Sequence, residues 1–422
     1  MQNRYFRGFL SGLIVVVGCM GAVLQAGCAG EKAADAGPIE IVLWEMMDPQ
    51  ERELLLQNIT AFEAEHPDVK ITAAHFGVED VRNQFLTAAL GGGGPDIIYG
   101  PSDQVGPLSA AGTLRPVEEL FGAAFFERFH ELTRIELNGH LWSVPEQFGN
   151  HLVLVYNRAL INTPPADTDE MIRMAKASMV DADGDGKIDR YGLVFESKEP
   201  FWLAPWIGAF GGWVMNDENE PTLDTPAMAS ALEFCRELKA THGVIPQDCD
   251  YELADTLFRE GRAAMIVNGP WSWKGYRDAG IEIGISSIPR MTSTNAWPTP
   301  MVSYRGYSIS ASCDDDKLEV VRAVVEFLTG ADVQRQYAEK IGALPSLLEL
   351  QGSDLIARDP VLAGSMEQVL RGQRMPIVPE MRAVWDAMRP ALQNVMNGES
   401  APAAAAKEMQ KMATKKIAEM RS

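Results

Sequence analysis

One segment of the chain carries carboxylates at the spacing of a calcium-binding loop. Segment Asp181–Asp189 has carboxylates at positions 1, 3, 5 and 9 and glycine at position 6, as in an EF-hand loop. The predicted ligands are Asp181, Asp183, Asp185, Lys187 (position 7) and Asp189. Position 12 is Gly192 instead of a bidentate glutamate, and Glu196 could supply the missing oxygens. We predict a structural calcium ion here, with an acidic, solvated turn as the alternative.

The other reactive side chains show no catalytic pattern. The six histidines lack metal-ligand spacing, and the sequence contains no nucleophile elbow. The run Gly91–Gly94 lacks the Lys-Ser/Thr of a phosphate loop and precedes a strand, so it is predicted to be a helix C-cap and turn. A glycoside hydrolase needs two carboxylates at a set separation, and Glu45 with Glu199 is the pair to test. We expect a protein that is not an enzyme and that needs no cofactor besides the calcium ion.

The charge of the chain argues against nucleic acid as a partner. Its 422 residues include 37 Lys+Arg and 58 Asp+Glu, which gives a net charge of −21. Binding to a phosphate backbone needs clustered basic residues instead. The hydrophobic content of 46% is that of a globular protein, and at about 150 residues per domain the length suggests two or three domains.

The N-terminal residues have the pattern of an export signal. Arg4 and Arg7 precede an uncharged stretch, Gly8–Gly30, and a bacterial lipoprotein signal ends in a short motif before a lipidated cysteine. We predict a signal peptide over residues 1–27, lipidation at Cys28 (with Cys19 as the alternative) and a tether over residues 28–37. Six glycines disfavour an uncleaved spanning helix. The body should be exported and lipid-anchored at the cell membrane, on its periplasmic or outer face.

The elements after the tether alternate between strand and helix. The predicted order is strand Ile39–Trp44, helix Gln50–Glu65, strand Val69–Phe76, helix Val81–Leu90 and strand Asp96–Tyr99. This βαβαβ pattern predicts a parallel sheet with helices on both faces, whose ligands bind beyond the carboxyl ends of the strands.

A second α/β region begins near His151–Tyr156 and runs past Ile281–Ile288. The later predicted elements are strand Gly306–Ser312, helix Asp315–Leu328, a helix over Val378–Met396 interrupted near Pro390, and a final helix. Two α/β lobes with several chain crossings favour a bilobed clamp. Cys235 and Cys249 could pair in an oxidising compartment, and Cys313 would then be a buried thiol.

An ordered set of short motifs resembles the maltose-binding protein family, the sugar-type solute-binding proteins of ABC importers. The motifs are Gly94-Pro95-Asp96-Ile97-Ile98-Tyr99, Asn138-Gly139 with Pro145, Val155-Tyr156-Asn157, Glu199-Pro200-Phe201, Phe258–Met265, Asn268-Gly269-Pro270-Trp271, Asp359-Pro360, and Pro379-Glu380-Met381 with Trp385 and Arg389. The resemblance extends from about Ile39 to Gly398 and covers nearly the whole body of the chain.

The resemblance implies a two-lobed periplasmic-binding-protein-like clamp of α/β class, each lobe a mainly parallel sheet flanked by helices. Three hinge crossings are expected, near Gly149–Leu152, Ser303–Gly306 and Ser353–Ala357. The first lobe would comprise residues 38–149 plus 305–354, and the second 150–304 plus 355–422. The implied function is capture of a sugar, an oligosaccharide in our interpretation, by a monomer that delivers it to the membrane subunits of an ABC importer.

The family's ligand positions carry over to this chain residue by residue. Sugars offer apolar C–H faces to aromatic rings and hydroxyls to carboxylates, amides and arginine. The residues predicted from these matches are Asp103, Asn150 (where the family has a hinge-side glutamate), Glu199, Phe201, Trp271, Trp385 and Arg389. Glu45 and Asp48 are predicted ligand-binding residues because they follow the first strand, where its carboxyl end opens into the cleft, with a solvated loop as the alternative. Trp202 or Trp206 could substitute for Phe201, and Trp273 is expected in the core.

The chain departs from the family pattern on the first-lobe side. Gly100 stands where the family has a cleft tryptophan, Gln104 where it has an arginine, and Pro49 where it has a basic residue near the first strand. We therefore expect the chain to bind the same class of ligand as the family but to contact the sugar hydroxyls differently. An alternative ligand for a binding protein is a glycerol phosphodiester, but its phosphate would need an arginine in the cleft, and Gln104 stands at that position. The alternative of a different functional class is a surface glycoside hydrolase.

Overall fold

The computed structural model describes residues 37–134 and 136–421, without the side chains of residues 78 and 79. The predicted signal peptide, both candidate lipidation cysteines and nearly all of the tether lie outside the described residues. Within the described part, no helix is both long enough and apolar enough to cross a bilayer.

The strands of the described chain belong to a seven-stranded sheet, a four-stranded sheet and a small hairpin. Their bounds are β1 Ile39–Glu45, β2 Val69–His75, β3 Ile97–Pro101, β4 Glu136–Leu137, β5 His140–Leu141, β6 Val144–Gly149, β7 Val153–Asn157, β8 Tyr191–Val194, β9 Ala263–Asn268, β10 Ile283–Ser286, β11 Met301–Ile309, β12 Leu344–Pro345 and β13 Gln373–Arg374.

Helices cover both sheets. The α-helices are α1 Pro49–Glu65, α2 Val78–Leu90, α3 Val105–Ala110, α4 Glu118–Phe121, α5 Ala123–Phe126, α6 Thr168–Ser178, α7 Ala204–Ala209, α8 Pro226–Ala240, α9 Tyr251–Arg259, α10 Pro270–Asp278, α11 Leu318–Leu328, α12 Ala331–Ile341, α13 Leu348–Gln351, α14 Asp354–Arg358, α15 Pro360–Val369, α16 Glu380–Met396 and α17 Pro402–Met420. Short 3₁₀ helices span Ser102–Gln104, Glu131–Thr133, Pro200–Trp202 and Asp315–Lys317.

The predicted βαβαβ start of the chain is confirmed. β1 pairs in parallel with both β2 and β3, and α1 begins after the extended residue Asp48 with Pro49 in its first turn. Proline is favoured there because the first helical N–H groups need no partner within the helix. The loops after β1 and β3 therefore emerge at the same edge of the sheet.

The expectation of mainly parallel sheets is wrong. In the seven-stranded sheet β11 is antiparallel to β3 and β6, and in the four-stranded sheet only β8 and β9 are parallel. The reason lies in the connections between the sheets. The chain leaves the seven-stranded sheet through β6 and returns through β11, so these neighbouring strands run in opposite directions.

Each sheet has its own hydrophobic core, and we call the two halves the first lobe (seven-stranded sheet) and the second lobe (four-stranded sheet). Helices α16 and α17 complete the second-lobe core with residues such as Val384, Met388 and Met409. The predicted interruption of α16 at Pro390 does not occur, since that proline removes one hydrogen bond while its neighbours Ala391 and Leu392 stay packed in the core.

Cys235 and Cys249 do not form the disulfide that we considered. Both thiols are free and buried, as is Cys313. Cys235 packs in the core with Leu154 on one face of the four-stranded sheet, whereas Cys249 packs with Val155 on the other. Because neighbouring residues of a strand point to opposite faces, the sheet itself separates the two sulfur atoms.

Candidate functional site

A cavity of about 450 Å³ lies between elements of the two lobes. It falls within the usual size range of small-molecule sites. Its lining residues are Met46, Asp48, Pro101, Asp103, Asn150, Glu199, Pro200, Phe201, Trp202, Tyr251, Trp271, Arg305, Met375, Arg382, Trp385 and Arg389. The loops after β1 and β3 supply the first-lobe wall, and the second-lobe wall comes from the 3₁₀ helix Pro200–Trp202 and helices α9, α10 and α16.

The structure brings eight of the nine predicted ligand residues to this cavity. They are Asp48, Asp103, Asn150, Glu199, Phe201, Trp271, Trp385 and Arg389. They come from six separate parts of the chain, so their convergence is a property of the fold. Their individual roles toward a ligand stay predictions.

Glu45 is the exception, and its prediction is corrected. Its side chain is fully buried, where its carboxylate accepts from the Met47 N–H at 2.7 Å and from Arg52 Nε at 2.9 Å. His75 Nδ1 lies 3.2 Å from both carboxylate oxygens. Glu45 follows Ile41 and Leu43 at the period of two that marks the buried face of β1. That alternation, visible in the sequence, was the signal that it points away from the cleft.

Aromatic rings form the second-lobe wall. Trp202 is edge-on to Trp271 at 6.5 Å and to Tyr251 at 6.0 Å, measured between ring centroids. Trp202 Nε1 donates to the Val267 carbonyl, and Trp271 Nε1 donates to the Tyr251 hydroxyl at 3.0 Å. These bonds fix the rings and leave their apolar faces for a ligand. Sequence reasoning gave Trp202 only as a substitute and missed Tyr251.

The other two tryptophans that we weighed for the cleft are buried in the second lobe. Trp206 is 1% exposed and Trp273 is 0% exposed, so neither can stack on a ligand in the cavity. Trp273 is therefore in the core as expected.

Arginine and carboxylate side chains pair within the cavity wall. Arg389 donates to both oxygens of Glu199, from Nε at 2.6 Å and from Nη2 at 2.9 Å. Arg382 Nε lies 3.5 Å from a carboxylate oxygen of Asp386 on the next turn of α16. The bidentate geometry holds the Glu199 carboxylate in one orientation.

The first-lobe wall carries Asp48, whose ionised carboxylate is destabilised by its surroundings. Burial, together with the nearby Glu51 carboxylate, raises the pKa of Asp48 from 3.8 to about 6, while Arg305 opposes the shift. Asn150, on the connection from β6 to β7, donates from Nδ2 to the Ser303 hydroxyl at 3.0 Å. Gln104 is buried against Gly100, where a Cβ would lie only 2.9 Å from the Gln104 Oε1 atom, and neither residue lines the cavity.

The acidic loop lies apart from the cleft lining. The carboxylates of Asp181, Asp183 and Asp189 have oxygen atoms within 4.8 Å of one another. Asp185 instead accepts from the Lys187 N–H at 2.8 Å and from its ammonium at 3.0 Å, which holds the pKa of Asp185 below its usual range. The backbone carbonyl of Ala175 would lie 2.0 Å from a Cβ at Gly192, so position 12 has no room for a side chain.

The proposed substitute for the twelfth position does not join this loop. Glu196 is buried and accepts from the Lys198 N–H at 2.8 Å. It is not a member of the carboxylate group formed by the described residues. Three of the five predicted metal ligands therefore face one another without a bidentate glutamate.

Comparison with known proteins gives consistent matches over the whole body of the chain. The sequence profile of the family described as bacterial extracellular solute-binding protein matches residues 57–364. The maltose/maltodextrin-binding domain of Bdellovibrio bacteriovorus, solved with bound maltotriose, is 40% identical, and the match covers 90% of this chain and all of that one with a TM-score of 0.85. This similarity confirms the two-lobed fold.

Two curated relatives are more distant in sequence. The maltotriose-binding protein of Pyrococcus abyssi is 28% identical over 370 residues, which cover 86% of this chain and 79% of the relative. A maltooligosaccharide ABC transporter solute-binding lipoprotein of Streptococcus pneumoniae is 21% identical, with 94% of each chain covered. Since the family profile spans well over half of the chain, and the ordered motifs agree with it, the chain belongs to the bacterial extracellular solute-binding proteins.

Proposed function

We propose that this chain captures an uncharged oligosaccharide in the cavity between its lobes and delivers it to the membrane subunits of an ABC importer. The observation that carries this proposal is the cavity itself, which is lined by five aromatic rings on the second-lobe side and by carboxylates from both lobes. A pyranose has the complementary surfaces, since rings stack on its C–H faces and carboxylates accept from its hydroxyls.

The pairing of charges in the cavity favours an uncharged ligand. The three lining arginines each lie beside a carboxylate: Arg305 beside Glu51, Arg389 beside Glu199 and Arg382 beside Asp386. An anionic ligand such as a glycerol phosphodiester would have to compete with these carboxylates for the guanidinium groups. A neutral sugar can bind without disturbing the pairs.

The relatives suggest which sugars to test first. Maltotriose is bound in the Bdellovibrio structure and named in the Pyrococcus relative, so α-linked glucose oligomers are the first candidates for this cleft. Gly100 and Gln104 do not line the cavity, so the contacts to sugar hydroxyls are expected to differ through the absence of the tryptophan and arginine that the family has at these positions.

The placement of the carboxylates favours binding over hydrolysis. A glycosidase acid and base must both reach the scissile bond. Glu45, half of the pair that we set out to test, is fully buried outside the cavity lining, and Glu199 is held by Arg389. The relatives are named as binding proteins, and a cleft of this kind needs no cofactor to bind and release a sugar.

Closure of the two lobes around the sugar is the proposed working motion. The proposed division is 38–149 plus 305–354 and 150–304 plus 355–422, except that residues 301–304 and 373–374 lie in strands of the first-lobe sheet. Hinge closure around a ligand is a common mode of domain motion. The streptococcal relative is named as a lipoprotein, which supports an N-terminal lipid anchor at Cys28 or Cys19 and a position at the outer face of the cell membrane. A calcium ion in the loop Asp181–Asp189 would be structural and stays a prediction.

Thermal unfolding of the purified chain with added sugars tests the proposal. A ligand that binds only the folded state at about 1,000 times its Kd stabilises that state by about 4 kcal/mol. We expect maltotriose to raise the melting temperature, and we expect glycerol phosphodiesters to leave it unchanged. The absence of a shift with any oligosaccharide, or the release of glucose from one, would contradict the proposal.

A further inference from the structure

Arg305 lies on strand β11 at the floor of the cleft, opposite an irregular point of strand β6. The pairing of β11 with β6 shifts register between Arg305 and Gly306, because Glu146 of β6 is skipped between the pairs Arg305–Gln147 and Gly306–Pro145. Arg305 is only 7% exposed, yet it lines both the main cavity and a small second cavity, which Asn150 and Trp271 also line.

A buried carboxylate holds one side of the guanidinium. Arg305 Nη1 donates to both oxygens of Glu51, at 2.7 and 2.8 Å. Glu51 is 4% exposed and also accepts from Gln147 Nε2 at 3.2 Å and from the Asp48 N–H at 3.2 Å. The guanidinium carbon lies 5.3 Å from the ring centroid of Tyr99. Because the guanidinium is planar and rigid, these contacts also fix the direction of its other nitrogens.

The other terminal nitrogen has a weak partner. Arg305 Nη2 donates to the Met46 thioether at 3.7 Å, and Met46 also lines the main cavity. A thioether sulfur is a weak hydrogen-bond acceptor compared with a hydroxyl or ring oxygen of a sugar. Arg305 Nη2 is therefore held in one direction beside the cavity-lining side chain of Met46, and it would form a stronger hydrogen bond with an oxygen acceptor.

We propose that Arg305 is a specificity-determining residue of the cleft, which presents Nη2 to one acceptor oxygen of the bound sugar while Glu51 fixes its orientation. This inference rests on the proposed sugar-binding function. Arginine can only donate hydrogen bonds, so the floor of the cleft selects ligands with an oxygen at that point. Because Glu51 neutralises the guanidinium, the contact does not convert the cleft into an anion site.

The test measures the dissociation constants of maltotriose and its monodeoxy derivatives by calorimetry, for the unaltered chain and for Arg305→Lys. A site built to hydrogen-bond an oxygen strongly rejects the analogue that lacks it. We expect the unaltered chain to bind one or two of the analogues about 10- to 100-fold more weakly than maltotriose. In Arg305→Lys, a single ammonium replaces the guanidinium that bonds both Glu51 and the ligand. We expect the difference in affinity between maltotriose and these analogues to fall to about threefold or less.

A second variant removes the buried pair without leaving an unpaired charge. Arg305→Met combined with Glu51→Gln keeps the floor uncharged, so the test still works if the lysine does not settle against Glu51. It should lose discrimination at the same analogue. Arg322→Met, which removes a paired arginine from the surface of α11, is the matched control and should keep the full analogue profile.

The outcomes separate this inference from the function on which it rests. If the unaltered chain binds no sugar, the proposed function fails and the inference fails with it. If sugars bind but the Arg305 variants keep the analogue profile, or weaken all analogues by the same factor, Arg305 has a structural role only and the inference is overturned.

Discussion

The two walls of the cleft are built from different kinds of residue. All five aromatic rings of the cavity, including Trp271 and Trp385, come from the second lobe, whereas the first-lobe wall has Asp48, Asp103 and aliphatic or thioether groups with Arg305 at the floor. Ring faces accept the C–H surface of almost any pyranose, but carboxylates and guanidinium donors contact particular hydroxyls. The comparison suggests that the second lobe supplies most of the affinity and that the first lobe and floor supply the selectivity.

The largest effect expected from this division is the loss of a second-lobe ring. Trp271→Ala and Trp385→Ala should each weaken maltotriose binding by about 30- to 100-fold, since a buried aromatic anchor contributes about 2–3 kcal/mol. Calorimetry measures the change. Trp297→Ala is a matched control, because Trp297 is 39% exposed and contacts Arg371 outside the cavity lining.

Equal losses from the three tryptophan variants would show that the rings of the second-lobe wall do not hold the ligand. Undiminished affinity in both cavity variants would place the ligand elsewhere in the molecule. Either result would contradict the inference that the second-lobe wall supplies most of the affinity.

The two walls also differ in how far the sequence could predict them. Phe201, Trp271, Trp385 and Glu199 lie in short motifs that can be recognised locally, and all four line the cavity. The floor could not be found in that way, because Arg305 meets Glu51 across 254 residues of sequence and Gln147 meets it across 96. A contact of this kind follows from the order of the strands in the sheet, which short motifs do not reveal.

The same limit explains the errors at the level of the fold. The first strands and helices were predicted to within a few residues, since their buried residues recur at the periods of a strand or a helix. The direction of β11 was not predictable from its own residues, because it depends on where the chain returns to the first lobe. Glu45 was misplaced for a local reason, since a predicted role was allowed to outweigh the alternation of β1.

A smaller effect should distinguish the first-lobe wall by its dependence on pH. The folded-state pKa of Asp48, about 6, lies above its ordinary value of 3.8. The folded protein therefore binds more protons than the unfolded chain between these values, and its stability falls as pH rises through that window. The shift corresponds to about 3 kcal/mol at most, and to about 1–2 kcal/mol after solvent screening.

Asp48→Asn should accordingly raise the free energy of unfolding by about 1–2 kcal/mol at pH 7.5 and leave it nearly unchanged at pH 3.5, as measured by urea unfolding. Asparagine is also a good residue before a helix, so the start of α1 is preserved. Glu65→Gln, at the exposed end of the same helix, is the control and should change stability by less than about 0.5 kcal/mol at both pH values. A gain of equal size at both pH values would mean that the carboxylate charge is not its cause.

The smallest expected effect is on the acidic loop Asp181–Asp189, whose calcium binding should be independent of sugar binding in the cleft. If Asp181, Asp183 and Asp189 bind calcium with a Kd of about 1 mM, as in weak extracellular sites, then 10 mM calcium should stabilise the fold by about 1.4 kcal/mol. Asp183→Asn should abolish this gain, whereas Asp185→Asn should keep most of it, because Asp185 is directed at Lys187. Maltotriose affinity should be unchanged by calcium, since none of the loop residues lines the cavity.

Two outcomes would contradict these expectations. An equal loss of calcium-induced stability in the two variants would indicate a general acidic surface in place of a calcium site. A maltotriose affinity that depends on calcium would show that the loop and the second-lobe wall are coupled.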